Sequence, residues 1–116
     1  MQMILGVLAL LAALPSARAA DPPQVHLKCD AGPVSKIYGG SKWQVYSCDD
    51  KQSLVVMAAP GSPAAPFTFL FARDSTGYDL RGQGTGNHVA TDAAYKDLRG
   101  LTGPAIRALI AETMKH

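Results

Sequence analysis

Alternation of apolar and polar positions along the middle of the chain predicts a series of β-strands. Leu54-Val55-Val56-Met57 is apolar on both faces of an extended chain, which predicts a central strand. Phe67, Phe69 and Phe71 share one face by the two-residue period of a strand and are predicted core. The predicted strands are residues 24–29, 43–48, 53–58, 67–72 and 78–83. Residues 30–41 and 59–66 are rich in glycine and proline and predict loops.

The last quarter of the chain changes to a helical pattern. Thr91 or Asp92 can cap the start of a short helix, which Gly100 then ends. A second helix is predicted behind Thr102 and Gly103-Pro104, because proline is tolerated in the first helical turn. Its apolar stripe follows three- and four-residue spacing through Ile106, Leu109, Ile110 and Met114.

Strands first and helices last indicate an α+β fold. We expect an antiparallel meander of four to five strands followed by two C-terminal helices packed on one face. Two short helices cover one side of such a sheet, whereas the central strands are apolar on both sides. The second side must therefore meet the N-terminal segment and loops, a second copy or a partner, and an uncovered apolar patch there predicts an interaction site. We expect a protein partner or a homodimer through this apolar sheet face.

The first segment has the pattern of an export signal. Residues 4–14 form an apolar run that is too short for the roughly 20 residues of a membrane-spanning helix. Ala17-Arg18-Ala19 then matches the small-x-small cleavage pattern of a secretory signal. The stretch before the run contains no Lys or Arg, so either the signal is weakly charged or translation starts elsewhere. We predict a cleaved signal peptide over residues 1–19, and a single periplasmic or extracellular domain over 20–116 with no membrane span.

Removing the signal changes the composition. The 116 residues carry a formal net charge of +2, and loss of the 19-residue segment with Arg18 leaves 97 residues at +1. A nucleic-acid-binding domain has a far larger basic excess. Basic positions in the second half of the chain also alternate with acidic ones, which predicts that their fields cancel. The basic positions are Arg73, Arg81, Lys96, Arg99 and Arg107, and the acidic ones Asp74, Asp79, Asp92 and Asp97. We therefore expect no nucleic-acid partner.

The two cysteines, Cys29 and Cys48, predict a structural disulfide in an exported chain. The chain has neither a C-x-x-C pair nor a metal-ligand spacing. Closing a loop of about 20 residues stabilises the fold by about 3 kcal/mol in the chain-entropy model.

The most conspicuous local motif is a glycine-rich segment before the first predicted helix, Gly82-Gln83-Gly84-Thr85-Gly86. It lacks the third glycine of a dinucleotide-binding loop and the Lys-Ser/Thr ending of a P-loop. Its N–H groups could still bind an anion beside a helix start, or the glycines could only allow a bend between strand and helix. The candidate ligand-binding residues are Arg81, Gly82, Gly84, Thr85, Gly86 and His88.

Enzymatic chemistry finds few candidates. No Gly-x-Ser-x-Gly or His-Glu-x-x-His motif is present, and His26, His88 and His116 lie far apart in the sequence. We therefore expect no catalytic residue, metal or cofactor. The alternative enzyme is a small envelope hydrolase with His88 as base and Arg81 as anion clamp, which requires both side chains in one pocket.

Residues 46–56, Tyr-Ser-Cys-Asp-Asp-Lys-Gln-Ser-Leu-Val-Val, resemble the opening hairpin of small periplasmic lysozyme inhibitors of the membrane-bound or C-type class. The resemblance implies an exported, disulfide-tied β-barrel that inserts a small-residue loop into the lysozyme cleft. Because this chain lacks a C-terminal Cys and is predicted to end in helices, we do not assign it to that family. The leading hypothesis is a small exported binding protein without enzymatic activity, and an inhibitor of a secreted enzyme is a further alternative.

Overall fold

The alternating segments form one antiparallel sheet in which strands adjacent in sequence are also adjacent in space. The computed structural model describes residues 27–115, so the predicted signal peptide and residues 24–26 lie outside the described part. The strands are β1 (Ala31–Tyr38), β2 (Ser41–Ser47), β3 (Leu54–Ala58), β4 (Phe67–Asp74) and β5 (Gly77–Gly84), followed by helices α1 (His88–Arg99) and α2 (Gly103–Thr113). The predicted α+β meander with two C-terminal helices is confirmed.

The first strand is shifted from its predicted place. Residues 27–29, the described part of the predicted strand 24–29, are not in a strand. Strand β1 instead occupies most of residues 30–41, so the predicted loop there was wrong. Gly32 and Pro33 predicted a loop, but β1 is an edge strand, where a proline costs no ladder hydrogen bond on its outer side. The pairing with β2 shifts register between Ala31 and Val34. Gly32 and Pro33 lie within this irregularity of the ladder.

One face of the sheet and both helices enclose the core. Trp43 is fully buried, and its indole N–H donates to the carbonyl oxygen of Tyr38 over 3.2 Å. Of the three aligned phenylalanines, Phe69 and Phe71 are buried as predicted, whereas Phe67, the first residue of β4, is half-buried. The core cluster comprises Tyr38, Trp43, Val45, Leu54, Val56, Ala64, Phe69, Phe71, Ala94, Leu98, Ile106, Leu109 and Ile110. Because these strand residues alternate with those of the other face, the helices cover one side of the sheet.

Helix α1 begins four or five residues earlier than predicted. Its N-cap is Asn87, whose side-chain oxygen accepts hydrogen bonds from the N–H groups of Val89 and Ala90. The predicted cap Thr91 is instead buried within the helix, and its hydroxyl donates to the carbonyl of His88 over 3.3 Å. Asparagine caps as well as threonine or aspartate, so the cap type alone did not fix the position. The predicted end of the helix at Gly100 is confirmed.

Helix α2 starts as predicted, since Thr102 caps it and proline follows in its first turn. Met114 was predicted on the buried stripe, but it lies beyond the last helical residue and is 49% exposed. The C-terminal end of α2 is instead held by a buried pair of hydroxyl groups. The hydroxyl oxygen of Thr113 lies 2.6 Å from the carbonyl oxygen of Ile110 and 2.7 Å from the Ser47 hydroxyl. Since a hydroxyl has one proton, Thr113 donates to the carbonyl and accepts from Ser47, which joins α2 to β2.

The predicted disulfide is present. Cys29 and Cys48 are bonded, so the segment before β1 is tied to the end of β2. The N–H of Asp49 donates to the carbonyl of Lys28 over 2.8 Å beside the bond.

The turn that follows is fixed by Asp50. Burial alone raises the pKa of this carboxyl, but hydrogen bonds from the Ser53 hydroxyl and from the N–H groups of Gln52 and Ser53 outweigh it. The pKa of Asp50 therefore lies below its ordinary value, and the carboxylate stays charged at neutral pH.

Removal of the disulfide should lower stability without changing the fold. We expect the Cys29→Ser/Cys48→Ser variant to lose about 2–3 kcal/mol of unfolding free energy, because the bond restricts the unfolded chain. Urea unfolding of the two proteins measures this difference. Alkylation followed by mass determination is the control on the bond itself: the native protein should take up no label until it is reduced. Immediate labelling of two thiols would contradict the structure.

Candidate functional site

The sheet surface opposite the helices is a candidate interaction site. Tyr46, Val55 and Leu70 are paired across β2, β3 and β4, so their side chains form one row on this side. Met57 lies on the same side two residues along β3, and Ile37 lies at the β1 edge. We call this surface, formed by Ile37, Tyr46, Val55, Met57 and Leu70, the open face.

The open face has an apolar centre and a polar surround. Ile37 is 62% exposed and Met57 is 43% exposed, while Tyr46, Val55 and Leu70 are partly exposed. The register places polar side chains around them on the same side of the sheet. These are Lys42, Gln44, Thr68, Arg81 and Gln83. Such an arrangement resembles the anatomy of protein–protein interfaces, in which a polar rim surrounds an apolar centre.

The structure separates the predicted ligand-binding residues into two places. Arg81, Gly82 and Gly84 line a groove of about 710 Å³ along the β4–β5 edge, together with Pro66, Phe67, Thr68, Leu70 and Gln83. Thr85 and Gly86 lie in the connection to α1, and His88 is the first residue of that helix, with an exposed side chain. His88 is not among the residues that line the groove.

Backbone donors of the glycine-rich segment are bonded to protein carbonyls. The N–H groups of Thr85 and Gly86 both donate to the carbonyl oxygen of Pro66, over 2.9 and 3.0 Å, and that of Asn87 donates to Pro63 over 3.0 Å. These three donors are therefore not free to bind an anion. The contacts support a structural role for the segment, and ligand binding by it stays a prediction.

Close packing accounts for the glycines themselves. A Cβ atom added at Gly82 would lie 2.7 Å from the Phe67 ring and 2.8 Å from the Phe69 ring. A Cβ atom at Gly86 would overlap the carbonyl group of Ala64. The glycines thus allow the last strand and its connection to lie directly against β4 and the β3–β4 loop.

The residues of the hydrolase alternative do not meet in one pocket. The Arg81 side chain forms an ion pair with Asp79, its Nε lying 2.6 Å from the carboxylate oxygen, and both are on the sheet. His88 lies on α1 outside this groove. Within residues 27–115, no three His, Cys, Asp or Glu side chains group together as metal ligands.

A cavity that the sequence analysis missed lies between the β4–β5 hairpin and the start of α2. It has a volume of about 360 Å³. Its lining includes Arg73, Arg99 and Arg107, which the sequence indicated only as basic positions cancelled by neighbouring acids. The spacing of these arginines in the sequence gives no sign of their meeting, since they come from a strand and two different helices.

Comparison of the chain with protein-family models, with curated proteins and with solved structures gave no match. In the described part of the chain, neither helix has the length and apolar character needed to cross a membrane. The open face and the cavities are therefore the features from which a function is proposed.

Proposed function

We propose that this chain is a small exported binding protein without enzymatic activity, and that its open face binds a partner protein. The observation that carries the proposal is the row Tyr46–Val55–Leu70, with Met57 and Ile37 beside it, on the side of the sheet opposite both helices. Burying exposed apolar area releases about 25 cal/mol per Å², so covering this row stabilises a complex.

Export is supported by two independent features. The Cys29–Cys48 bond is of a kind that persists in oxidising compartments and is rare in the reducing cytosol. The apolar run and small-residue motif of the first 19 residues have the pattern of a secretory signal. Together these features favour the periplasm or the extracellular space as the place where the partner is met.

Shape and charge of the open face favour a protein over a small ligand. Small molecules bind in concave sites, whereas most of the open face lies along the surface of the sheet. Of its five residues, Leu70 alone also lines the groove at the β4–β5 edge. In its rim, Arg81 is paired with Asp79 on the same side of the sheet, so Lys42 contributes the remaining charge. A partner that presents its own apolar patch, with hydrogen-bonding groups around it, fits this surface.

A matched pair of substitutions tests the proposal. Val55→Lys places a charge at the centre of the open face, and Val89→Lys makes the same change on α1, where the side chain is 80% exposed. We expect the native protein and Val89→Lys to capture the same partner from an envelope extract, and Val55→Lys to capture at least tenfold less, because a buried unpaired charge is costly. Circular dichroism of both variants checks that they fold.

Two results would count against a partner protein on this face. Equal capture by the two variants would place the binding surface elsewhere. Self-association in analytical ultracentrifugation, abolished by Val55→Lys alone, would assign the open face to a second copy of the chain.

A further inference from the structure

The cavity between the β4–β5 hairpin and α2 has three cationic side chains above an apolar floor. Arg73 comes from the end of β4, Arg99 from the last turn of α1, and Arg107 from the second turn of α2. Below them lie Phe71 and Ile106, both buried. Tyr78, Leu80 and Leu101 complete the apolar part of the lining, with Gly77 and Gly103 at its margin.

Within residues 27–115, none of these arginines forms an ion pair with a carboxylate. The ion pairs there are Lys36–Glu112 and Arg81–Asp79, and neither contains a cavity residue. Among the described residues, the cavity lining includes no acidic side chain. Three positive charges at one small concave surface repel one another unless an anion joins them.

The acidic residues that lie near these arginines in the sequence make their hydrogen bonds and ion pairs with other groups. Asp97 accepts a hydrogen bond from the N–H of Gly39 over 2.6 Å, at the β1–β2 turn. Asp79 pairs with Arg81 on the opposite side of the sheet. Asp74 follows Arg73 and accepts hydrogen bonds from the N–H and hydroxyl of Thr76. These bonds, with a smaller contribution from the charge of Arg73, hold the pKa of Asp74 below its ordinary value.

Arg107 occupies a position that is unfavourable for helix stability. Its guanidinium extends back to the start of α2, where its Nη1 would lie 3.3 Å from a Cβ atom added at Gly103. The first turn of α2 contains no acidic residue. A cation at the positive end of a helix dipole costs free energy, whereas an anion at the same place is stabilised. An anion between Arg107 and the other arginines would remove this conflict.

Aromatic rings contact two of the three side chains. The guanidinium carbon of Arg99 lies 5.7 Å from the centre of the Tyr95 ring on α1, which is not among the residues that line the cavity. The guanidinium carbon of Arg73 lies 5.6 Å from the centre of the Tyr78 ring, which holds the side chain against the cavity wall. Guanidinium groups bind carboxylates and phosphates through two parallel hydrogen bonds, which are stronger than hydrogen bonds between neutral groups. The apolar floor adds favourable contact for a hydrocarbon body attached to the anion.

We propose that this cavity is a binding site for a small amphiphilic anion, in which a phosphate or carboxylate group is joined to an aromatic or short aliphatic body. The anionic group lies among Arg73, Arg99 and Arg107, and the body lies on Phe71, Leu80 and Ile106. A volume of about 360 Å³ is within the range of small-molecule sites, at its lower end. The site is distinct from the open face, so the two proposals stand or fall separately.

Titration of the oxidised protein with four probes tests the site, using backbone amide shifts in NMR spectra. Phenyl phosphate and benzoate carry both an anion and an apolar body, inorganic phosphate carries only the anion, and benzyl alcohol carries only the body. We expect saturable binding of phenyl phosphate or benzoate, with shifts at Tyr78, Leu101 and Ile106. Binding should be at least tenfold tighter than that of inorganic phosphate or benzyl alcohol, and it should weaken as salt is added. The relative affinities of the two anionic aromatics distinguish a phosphate ligand from a carboxylate ligand.

Variants connect the binding to the arginines. Arg99→Gln and Arg107→Gln should each weaken binding about tenfold or more, because each removes a charged hydrogen-bond donor. Lys96→Gln removes the same charge from α1 outside the cavity and should leave the affinity within about twofold. Absence of saturable binding to either anionic aromatic would overturn the proposal, as would an equal loss in Lys96→Gln. Equal affinity for inorganic phosphate would overturn the assignment of the apolar floor.

Discussion

Replacing Gly39 with alanine is expected to lower the unfolding free energy by about 4 kcal/mol, because it combines backbone strain with a collision against α1. Gly39 has φ of +59°, a left-handed conformation that is unfavourable for alanine by about 1–2 kcal/mol. The added Cβ would also collide with backbone atoms of α1 at Ala93 and Ala94, which cannot rotate away. The helix would have to move, and with it the hydrogen bond from Gly39 to Asp97.

The neighbouring residue supplies a matched control. Gly40 also has a positive φ, of +79°, but nothing lies within 4 Å of its Cβ position. We therefore expect Gly40→Ala to cost only about 1 kcal/mol, the conformational part of the effect. Urea unfolding monitored by Trp43 fluorescence measures both. Losses of similar size in the two variants would show that α1 does not pack on this turn as the structure has it.

Replacing Gly86 with alanine is expected to cost about 3 kcal/mol or more. A Cβ atom here would overlap the carbonyl group of Ala64, and both residues are buried. The N–H of Gly86 also donates to Pro66, so the connection cannot shift without losing that bond. Overpacking against a fixed backbone is destabilising because neither chain can yield at low cost.

Thr85→Ala is the control for the Gly86 substitution. Thr85 is the preceding residue and is exposed, so its loss should change stability by no more than about 0.5 kcal/mol. Thermal unfolding of the two variants decides between the alternatives for the glycine-rich segment. A large loss for Gly86→Ala supports a structural connection, whereas native stability would leave ligand binding as the better account of the glycines.

The strands that the sequence predicted well are those with apolar pairs on a two-residue period. Trp43 and Val45 in β2, and Phe69 and Phe71 in β4, are buried on one face as alternation requires. Strand β1 was missed because Gly32 and Pro33 favour loops locally, while pairing with β2 overrides that preference. The strand forms because of its pairing with β2, and the local sequence pattern of residues 31–38 does not reveal that pairing.

The candidate sites differ in how far they could be predicted. The open face was anticipated because β3 carries apolar residues at both parities, Leu54 and Val56 inward and Val55 and Met57 outward. The arginine-lined cavity was not anticipated, because its charge depends on which groups the neighbouring carboxylates contact in the folded protein. The hydrogen bond from the N–H of Gly39 to Asp97, 58 residues apart in sequence, shows that this carboxylate lies against the β1–β2 turn and not in the cavity.

Both helices follow the sheet along the chain, which sets the order in which the core can be completed. Each strand pairs with its sequence neighbour, so the sheet can form before the helices pack on it. Leu98, Ile106 and Ile110, which cover its inner face, all come after the fifth strand. A sheet whose helices have not yet docked therefore exposes apolar surface on both sides. Such partly covered sheets aggregate readily, so docking of the two helices is the step of folding most exposed to aggregation.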